Sequence, residues 1–401
     1  MDREILPGMK RNDSNHISSN ISAIKPSVTL SITAKAKELA RQGHKVWSFG
    51  AGEPDCDTPE HIKAEAIAKL REGQTKYTPS DGLPALQKII AQKLAADNGL
   101  HYDPSQIIVS NGAKHSLFNL ILTICGRGDE VVVPGPYWLS YPEMVTIAGG
   151  KPVMPMAREE NGFKITASEL AAVITPATTA IVLNSPSNPT GAVYSAEEMR
   201  EIAELAVSRG LYIISDEIYE KVIYDDTRHV SVGSLSDEIF ARTITVNGFS
   251  KAYSMTGWRL GYCAAPKLLA DAMSALQSHS TSGPCTFAQY GAIEALRGSQ
   301  ECVGTMLKAF TERRARLHVR LTALKGVTCV KPRGAFYMFP NISTFGMGSV
   351  EFAERLLDQQ KVAVVPGEPF GSDAHIRLSY ACGMETIEKG MDAMASFVSS
   401  L

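Results

Sequence analysis

Short apolar runs alternate with amphipathic helical patterns along most of the chain. The helical pattern at Ala196–Ser208 is typical of the segments between these runs. Five compact runs predict strands: Ile107–Val109, Glu130–Val133, Ala180–Leu183, Tyr212–Ile214 and Thr243–Val246. This alternation predicts an α/β fold with a mainly parallel sheet that helices cover on both faces.

The pattern changes after a long helical stretch at about 268–323. Short strands are predicted at Val327–Val330, Ala335–Phe339, Ala363–Val365 and Ile376–Ser379, and helices at Val350–Gln359 and Glu385–Val398. Mixed elements of this kind indicate a smaller α+β domain.

The N-terminal part divides into a tail and a structured segment. Residues 1–20 are predicted to be a flexible tail, followed by a helix at Ser31–Gln42 and a strand at Val46–Phe49. We expect residues 21–55 to join the smaller domain, 56–300 to form the large domain and 301–401 the small C-terminal one.

Composition narrows the class of protein. Hydrophobic residues make up 44% and charged residues 20%, and the formal net charge is −2, as in a globular protein with no nucleic-acid or membrane partner. The seven cysteines include no CxxC pair, so we predict free thiols, no metal site and a reducing compartment. Without an apolar leader or a run long enough to span a bilayer, the expected location is the cytoplasm.

The densest chemical signal follows the strand at Thr243–Val246. Lys251 lies in a Gly-bounded turn with Ser250 before it, and Arg259 follows eight residues later. A lysine buried near other cations becomes a neutral amine that can attack an aldehyde, and an arginine can bind a phosphate with two hydrogen bonds. The alternative is a solvated lysine and a surface ion pair.

Asp216 closes another predicted strand, where a carboxylate faces the ligand crevice of a parallel sheet. It could pair with a protonated ring nitrogen, and one helical turn would put Tyr219 on the same side. The alternative is that Asp216 caps a helix.

Three further strand ends carry candidate ligands. Asn188 lies in a turn held by two prolines, and Trp138 could stack on a flat ring. The junction at 110–114 would present free N–H groups to an anion. Each has a plain structural alternative, a turn for Asn188, a core tryptophan for Trp138 and a common strand–helix junction for 110–114.

Arg377 lies inside a strand-like run and therefore needs a partner. A substrate carboxylate would provide one, and a structural aspartate is the alternative.

Together these segments resemble the fold type I, class I aminotransferases, which use pyridoxal 5′-phosphate. The similarity is greatest to the bacterial aspartate aminotransferases of the subgroup that includes the bifunctional aspartate/prephenate enzymes. It runs from about Ser22 to the C-terminus through these motifs: Gly50-Ala-Gly-Glu-Pro-Asp55, Lys76-Tyr77-Thr-Pro, Pro136-Tyr-Trp138, Asn188-Pro-Thr-Gly191, Ser215-Asp-Glu-Ile-Tyr219, Ser250-Lys251 to Arg259-Leu-Gly261, and Arg377-Leu-Ser-Tyr380.

The resemblance implies a seven-stranded sheet in the large domain, a homodimer with shared sites, and roles for single residues. Lys251 would hold the cofactor as a Schiff base and move the proton, and Asp216 would bind the ring nitrogen. The remaining implied contacts are Tyr219 and Asn188 with the 3′-oxygen, Trp138 with the ring, and Gly112, Ala113, Lys114, Ser250, Arg259 and the second subunit's Tyr77 with the phosphate. Arg377, helped by Asn188 and Gly52, would bind the substrate α-carboxylate, and Trp138 would also contact the substrate.

One departure concerns the distal carboxylate of a dicarboxylic substrate. Some aspartate aminotransferases use an arginine of the partner chain, but residues 277–284 contain none. In the subgroup that this chain resembles, a lysine of the N-terminal segment serves instead, and Lys25 matches it. A solvated charge is the alternative for Lys25.

The expected reaction is ping-pong transfer of an amino group between an amino acid, best aspartate, and a 2-oxo acid, best 2-oxoglutarate. Prephenate or an aromatic oxo acid is the next substrate. A lyase of the same fold, or a non-catalytic cofactor-binding regulator, is the remaining alternative.

Overall fold

The computed structural model describes residues 19–22, 24 and 28–401. The strands are β1 Trp47–Ser48, β2 Ile107–Ser110, β3 Glu130–Val132, β4 Lys151–Val153, β5 Thr178–Asn184, β6 Tyr212–Asp216, β7 Thr243–Gly248, β8 Gly261–Ala264, β9 Tyr337–Met338, β10 Val362–Ala363, β11 Val365–Pro366 and β12 Ile376–Ser379.

The helices cover the sheets and connect their strands. They are α1 Ser19–Ser22, α2 Val28–Arg41, α3 Glu60–Arg71, α4 Pro84–Asn98, α5 Ala113–Ile124, α6 Ser140–Ala148, α7 Ala167–Ala171, α8 Ala196–Ser208, α9 Asp237–Phe240, α10 Lys267–Ser280, α11 Thr286–Arg297, α12 Glu301–Thr322, α13 Ser349–Gln360 and α14 Met384–Ser399.

The main sheet has seven strands in the order β2-β8-β7-β6-β5-β3-β4. Only β8 runs antiparallel to its neighbours within this sheet. Successive residues of a strand point to opposite faces, so Ile213 packs in one buried cluster and Ile214 in another. This confirms the α/β fold with a mainly parallel sheet between helices.

A separate core lies around the three-stranded sheet β11-β12-β9. Its members come largely from residues 306–398, but Ile32 and Phe49 also pack there, and β1 pairs with β10. The domain boundaries at 55 and 300 remain predictions.

Most predicted elements form close to their expected bounds. The helix at Ala196–Ser208 is an example, because Ser195 and Glu198 form a capping box at its start. The predicted tail at 1–20 overlaps the start of α1, and the rest of that tail lies outside the described residues.

One expectation about a strand was wrong. The run at Val327–Val330 forms one bridge, from Thr328 to Asn341, and no strand. It is apolar because Val327 packs into the core, not because it belongs to a ladder. The stretch at 268–323 is helical as expected and consists of three helices, with Ser282 and Gly283 at positive φ between two of them.

Two strands of the main sheet were missed, β4 and β8. β4 contains Pro152, which argues against a central strand but is tolerated at the edge position that β4 occupies. β8 begins at Gly261, where a side chain would collide with the backbone of Ala113.

No helix in the described part of the chain is both long and apolar enough to cross a membrane.

Candidate active site

A cavity of about 1050 Å³ opens at the carboxyl ends of the central parallel strands. Eleven of the predicted site residues line it: Gly52, Ala113, Lys114, Trp138, Asn188, Asp216, Tyr219, Ser250, Lys251, Arg259 and Arg377. Parallel strands end at the same edge of a sheet, which is why residues far apart in sequence meet there.

Two of the predicted residues that the structure describes, Gly112 and Tyr77, do not line this cavity. Gly112 lies just behind it, where an added Cβ would be 2.6 Å from the Arg259 guanidinium. Tyr77 is 94% exposed. Lys25 lies outside the described residues.

Lys251 follows β7 in a turn and reaches toward the N-terminal segment. Its Nζ donates a hydrogen bond to the carbonyl oxygen of Gly52 at 2.6 Å. Burial lowers the pKa of Lys251 to about 8; Arg377 and Arg259 act in the same direction, and the nearest carboxylates oppose them. A substantial neutral fraction near pH 8 is what a nucleophilic amine requires.

Asp216 ends β6 with its carboxylate fully buried. The Tyr141 hydroxyl donates to Oδ2 at 2.6 Å, and the Ile218 N–H donates to Oδ1 at 3.2 Å. Burial raises the pKa of Asp216 to about 6, although these hydrogen bonds and Lys251 lower it. A carboxylate in this setting would be stabilised by a cationic group in the cavity.

The interpretation of Asp216 and Tyr219 as members of one helical turn was wrong. Residues 218–221 form a turn without a following helix. Asp216 therefore caps no helix. Tyr219 lies in this turn, lines the cavity and packs in the core around the three-stranded sheet.

The N-terminus of α5 and two cations form one end of the cavity. Gly112 has φ +90°, which leaves its backbone open beside Arg259. Burial lowers the pKa of Lys114, and the nearby Arg259 adds to this effect. Free N–H groups of a helix beside two cations are suited to a phosphate.

Trp138 stands at the same end. The Lys114 ammonium lies 4.9 Å from the centroid of its ring. An edge-on contact with Tyr141, 5.1 Å between centroids, holds the indole. This arrangement can support a flat ring against one face.

Arg377 enters from the small core with its guanidinium buried. Its Nη1 donates to Asn188 Oδ1 at 3.0 Å and its Nη2 to the Gly50 carbonyl at 3.2 Å. Its Nε is buried and has no partner in the described structure. A carboxylate ligand would satisfy this donor.

Sequence reasoning missed several residues of the cavity, among them Tyr141, Tyr337 and Glu53. Tyr141 could have been found from its spacing of three residues from Trp138, but Tyr337 lies in an apolar run without any polar signal. Glu53 was visible only as part of a motif; its carboxylate accepts from the Thr256 hydroxyl at 2.7 Å and bridges the loops that carry Gly52 and Lys251.

These features fit pyridoxal phosphate. The cavity has an anion-binding end with two cations, a ring-sized aromatic support, a buried carboxylate and a lysine with a lowered pKa. No described feature of the cavity conflicts with such a ligand.

Comparison with known proteins gives an independent result. Residues 44–394 match the family model described as aminotransferase class I and II. The chain is 49% identical over 387 residues to an aspartate aminotransferase of Geobacillus stearothermophilus, covering 95% of this chain and 98% of that one. It is 50% identical over 380 residues to a probable aspartate/prephenate aminotransferase of Aquifex aeolicus, covering 94% and 96%.

Solved structures agree. The crystal structure of an aspartate aminotransferase from Rhizobium meliloti is 40% identical and matches with a TM-score of 0.93, covering 96% of this chain and 99% of that one. An aspartate aminotransferase of Thermus thermophilus with maleate is 44% identical, with a TM-score of 0.91 and coverage of 95% and 99%.

Proposed function

Because the chain belongs to the class I and II aminotransferase family, we propose that it binds pyridoxal phosphate and transfers an amino group from aspartate to 2-oxoglutarate. The observation that carries the proposal is the pairing of Lys251 and Asp216 in one cavity. Burial moves both pKa values toward neutrality, to about 8 and about 6. Strongly shifted pKa values of buried groups that line one cavity are typical of functional sites.

When bound, pyridoxal phosphate would supply an aldehyde that bonds to amines and a ring that withdraws electrons from the substrate Cα. Lys251 would hold it covalently, while the α5 N-terminus at Gly112–Lys114, Ser250 and Arg259 would hold its phosphate. Asp216 would pair with the ring nitrogen, Trp138 would support the ring, and Asn188 and Tyr219 would contact its 3′-oxygen.

The chain's own groups then carry the proton transfers. The Lys251 amine, neutral in part near pH 8, would take the proton from the substrate Cα and deliver it to the C4′ carbon of the cofactor. Asp216 would stay ionised against the ring nitrogen, and Tyr141 would hold its orientation by donating to Oδ2.

The substrate α-carboxylate would bind Arg377, with Asn188 and Gly52 beside it. Arg377 is already oriented by Asn188, so little freedom is lost on binding. Relatives named aspartate aminotransferase support aspartate as the donor. Prephenate is the second candidate, because relatives at 50% and 44% identity are named as probable or established aspartate/prephenate enzymes.

Lys25 is proposed to contact the distal carboxylate of a dicarboxylic substrate. No arginine occurs at 277–284 to do so. Lys25→Ala should raise KM for aspartate by roughly tenfold or more and change activity with alanine far less. Equal losses on both substrates would contradict a role in reading the distal carboxylate.

A homodimer in the cytoplasm completes the proposal. Tyr77 is 94% exposed in the single chain, which suits a residue that reaches the phosphate of a second copy. All seven cysteines are free, in keeping with a reducing compartment.

Borohydride reduction of the protein loaded with pyridoxal phosphate tests the core of the proposal. The label should map to Lys251, and a label on another lysine would contradict the assignment. Following the visible absorbance while each amino acid is added in turn would then rank the donors. We expect aspartate and glutamate to react fastest.

A further inference from the structure

Tyr337 is a buried tyrosine of the cavity that touches two of its functional groups at once. It lies on β9 opposite Ser379 of β12. Arg377 is two residues before Ser379, so the two side chains share a face of this small sheet and are diagonal neighbours. Aromatic and long side chains reach one another across such a diagonal.

The hydroxyl end of Tyr337 meets Tyr219. The two hydroxyl oxygens are 2.8 Å apart, and both side chains are buried. Each hydroxyl has one proton, so within the pair one donates and the other accepts. If Tyr219 is to donate to a ligand oxygen, its proton must be free, and Tyr337 must be the donor.

The ring of Tyr337 meets Arg377. The guanidinium carbon lies 4.5 Å from the Tyr337 ring centroid and 5.1 Å from that of Phe370. A guanidinium that contacts two aromatic rings is attracted to both, and these contacts restrict its rotation. Its edge donates to Asn188 and Gly50, and the buried Nε keeps a free donor.

We propose that Tyr337 is a positioning residue with two separable parts: its hydroxyl directs the Tyr219 hydroxyl toward the cofactor, and its ring fixes Arg377 for the substrate carboxylate. The inference rests on the proposed function. It joins the two halves of the site, because Tyr219 follows β6 of the main sheet while Tyr337 and Arg377 belong to the three-stranded sheet.

Tyr337→Phe separates the two parts, because it removes the hydroxyl and keeps the ring. The visible absorbance of the loaded protein should change with pH at a midpoint about 0.5 to 1 unit higher than in the parent. The Tyr219 hydroxyl loses the hydrogen bond that orients and polarises it, and it therefore donates more weakly to the cofactor oxygen. KM for aspartate should stay within about twofold, since the ring still packs on Arg377.

Phe370→Leu is the matched variant, because it removes the other ring and leaves both hydroxyls. KM for aspartate should rise about three- to tenfold, as expected from the loss of one cation–π contact, without a change in the absorbance midpoint. Tyr337→Leu should show both effects together. If Tyr337→Leu does not fold, the first two variants still decide the matter.

The outcomes distinguish this inference from the proposed function. An unmoved midpoint in Tyr337→Phe, or a rise in its KM equal to that of Phe370→Leu, would overturn the two-part role. Failure of the parent to develop a visible band with pyridoxal phosphate would instead overturn the proposed function. A shifted midpoint with unchanged KM supports the inference.

Discussion

Asp216 and Glu217 are neighbours at the end of β6, yet they belong to two different charge clusters on opposite sides of the sheet. Asp216 faces the cavity and receives hydrogen bonds from neutral groups, Tyr141 and the Ile218 N–H. Glu217 faces the other side, where it accepts from Ser215 at 2.7 Å, from Ser231 at 2.6 Å and lies 2.9 Å from His229 Nε2.

We call the group around Glu217 and Glu220 the rear cluster. Its charged and polar side chains bind one another, and its other members are Lys93, Asn98, His229 and Ser231. Glu220 contacts the Lys93 ammonium and accepts from Asn98 Nδ2 at 2.8 Å, and Asn98 also donates to Ser231. Although burial opposes it, Lys93 and His229 lower the pKa of Glu220 to about 2. The ligand atoms of Glu217, Glu220 and His229 lie within 4.8 Å of one another, but Lys93 already supplies a cation there.

The difference between the two clusters distinguishes charged groups that stabilise the fold from charged groups that can bind a ligand. In the rear cluster each charge has a partner, and the cluster can hold the 216–220 segment in place. In the cavity, burial moves the pKa values of Asp216 and Lys251 toward neutrality, because no neighbouring charge fully offsets the loss of solvent. A ligand in the cavity can supply charge partners for Asp216 and Lys251. Behind the sheet, Lys93 and His229 already lie against Glu220 and Glu217, although the His229 Nδ1 atom is buried without a hydrogen-bond partner in the described structure.

The two lysines give the largest expected contrast. Lys251→Ala should lower turnover by several orders of magnitude, because both the covalent attachment and the proton carrier are lost, while the thermal unfolding of the cofactor-free protein changes little. Lys93→Met should destabilise the protein by about 3–5 kcal/mol, since Glu220 remains buried without its cation. Denaturant unfolding and turnover should be measured on both variants. A loss of activity without a loss of stability in Lys93→Met would contradict a purely structural role of Lys93.

The adjacent carboxylates provide the next contrast. Asp216→Asn should lower turnover roughly 100-fold or more, because the ring nitrogen loses its counter-charge. Its unfolding free energy without cofactor at pH 8 should stay equal or rise, since an acid whose pKa is raised by folding destabilises the folded state once ionised.

Glu217→Gln is the control for that variant, one residue along the chain. It should cost about 1–3 kcal/mol of stability by breaking the contacts with Ser231 and His229. Its turnover should fall far less than that of Asp216→Asn. Near-normal turnover of Asp216→Asn with the natural cofactor would mean that Asp216 has only a structural role.

Most of the fold and of the cavity could be predicted from the sequence, for a physical reason. Asp216 ends one strand of the parallel sheet, and Asn188 and Lys251 follow two others. The carboxyl ends of such strands converge whatever the details of packing. The resemblance to class I aminotransferases, which rested on these segments, is confirmed by the family match.

The rest depends on tertiary contacts that no local pattern encodes. Tyr337 became part of the cavity through the register of β9 with β12, and β4 could be an edge strand only once the strand order was known. The rear cluster brings Lys93, Glu220 and His229 together from distant segments, and each alone looks like an ordinary polar residue.

The smallest expected effect is a dependence of stability on pH that comes from His229. Burial alone would lower its pKa, but Glu217 and Glu220 outweigh burial and Lys93, and the pKa is raised above 6.5. A raised histidine pKa stabilises the folded state fully below the unfolded value, and this contribution is lost as the pH rises through the folded value. Between pH 6 and pH 9 the unfolding free energy of the parent should therefore fall relative to that of His229→Gln. The difference between the two proteins isolates His229, because Asp216 and Lys251, with pKa values of about 6 and about 8, titrate in both. Glu220 does not confuse the comparison, because its contribution is lost only as the pH falls from about 4.5 toward 2. Urea unfolding of the two cofactor-free proteins at both pH values measures the difference, and equal slopes with pH would show that His229 carries no charge in the rear cluster.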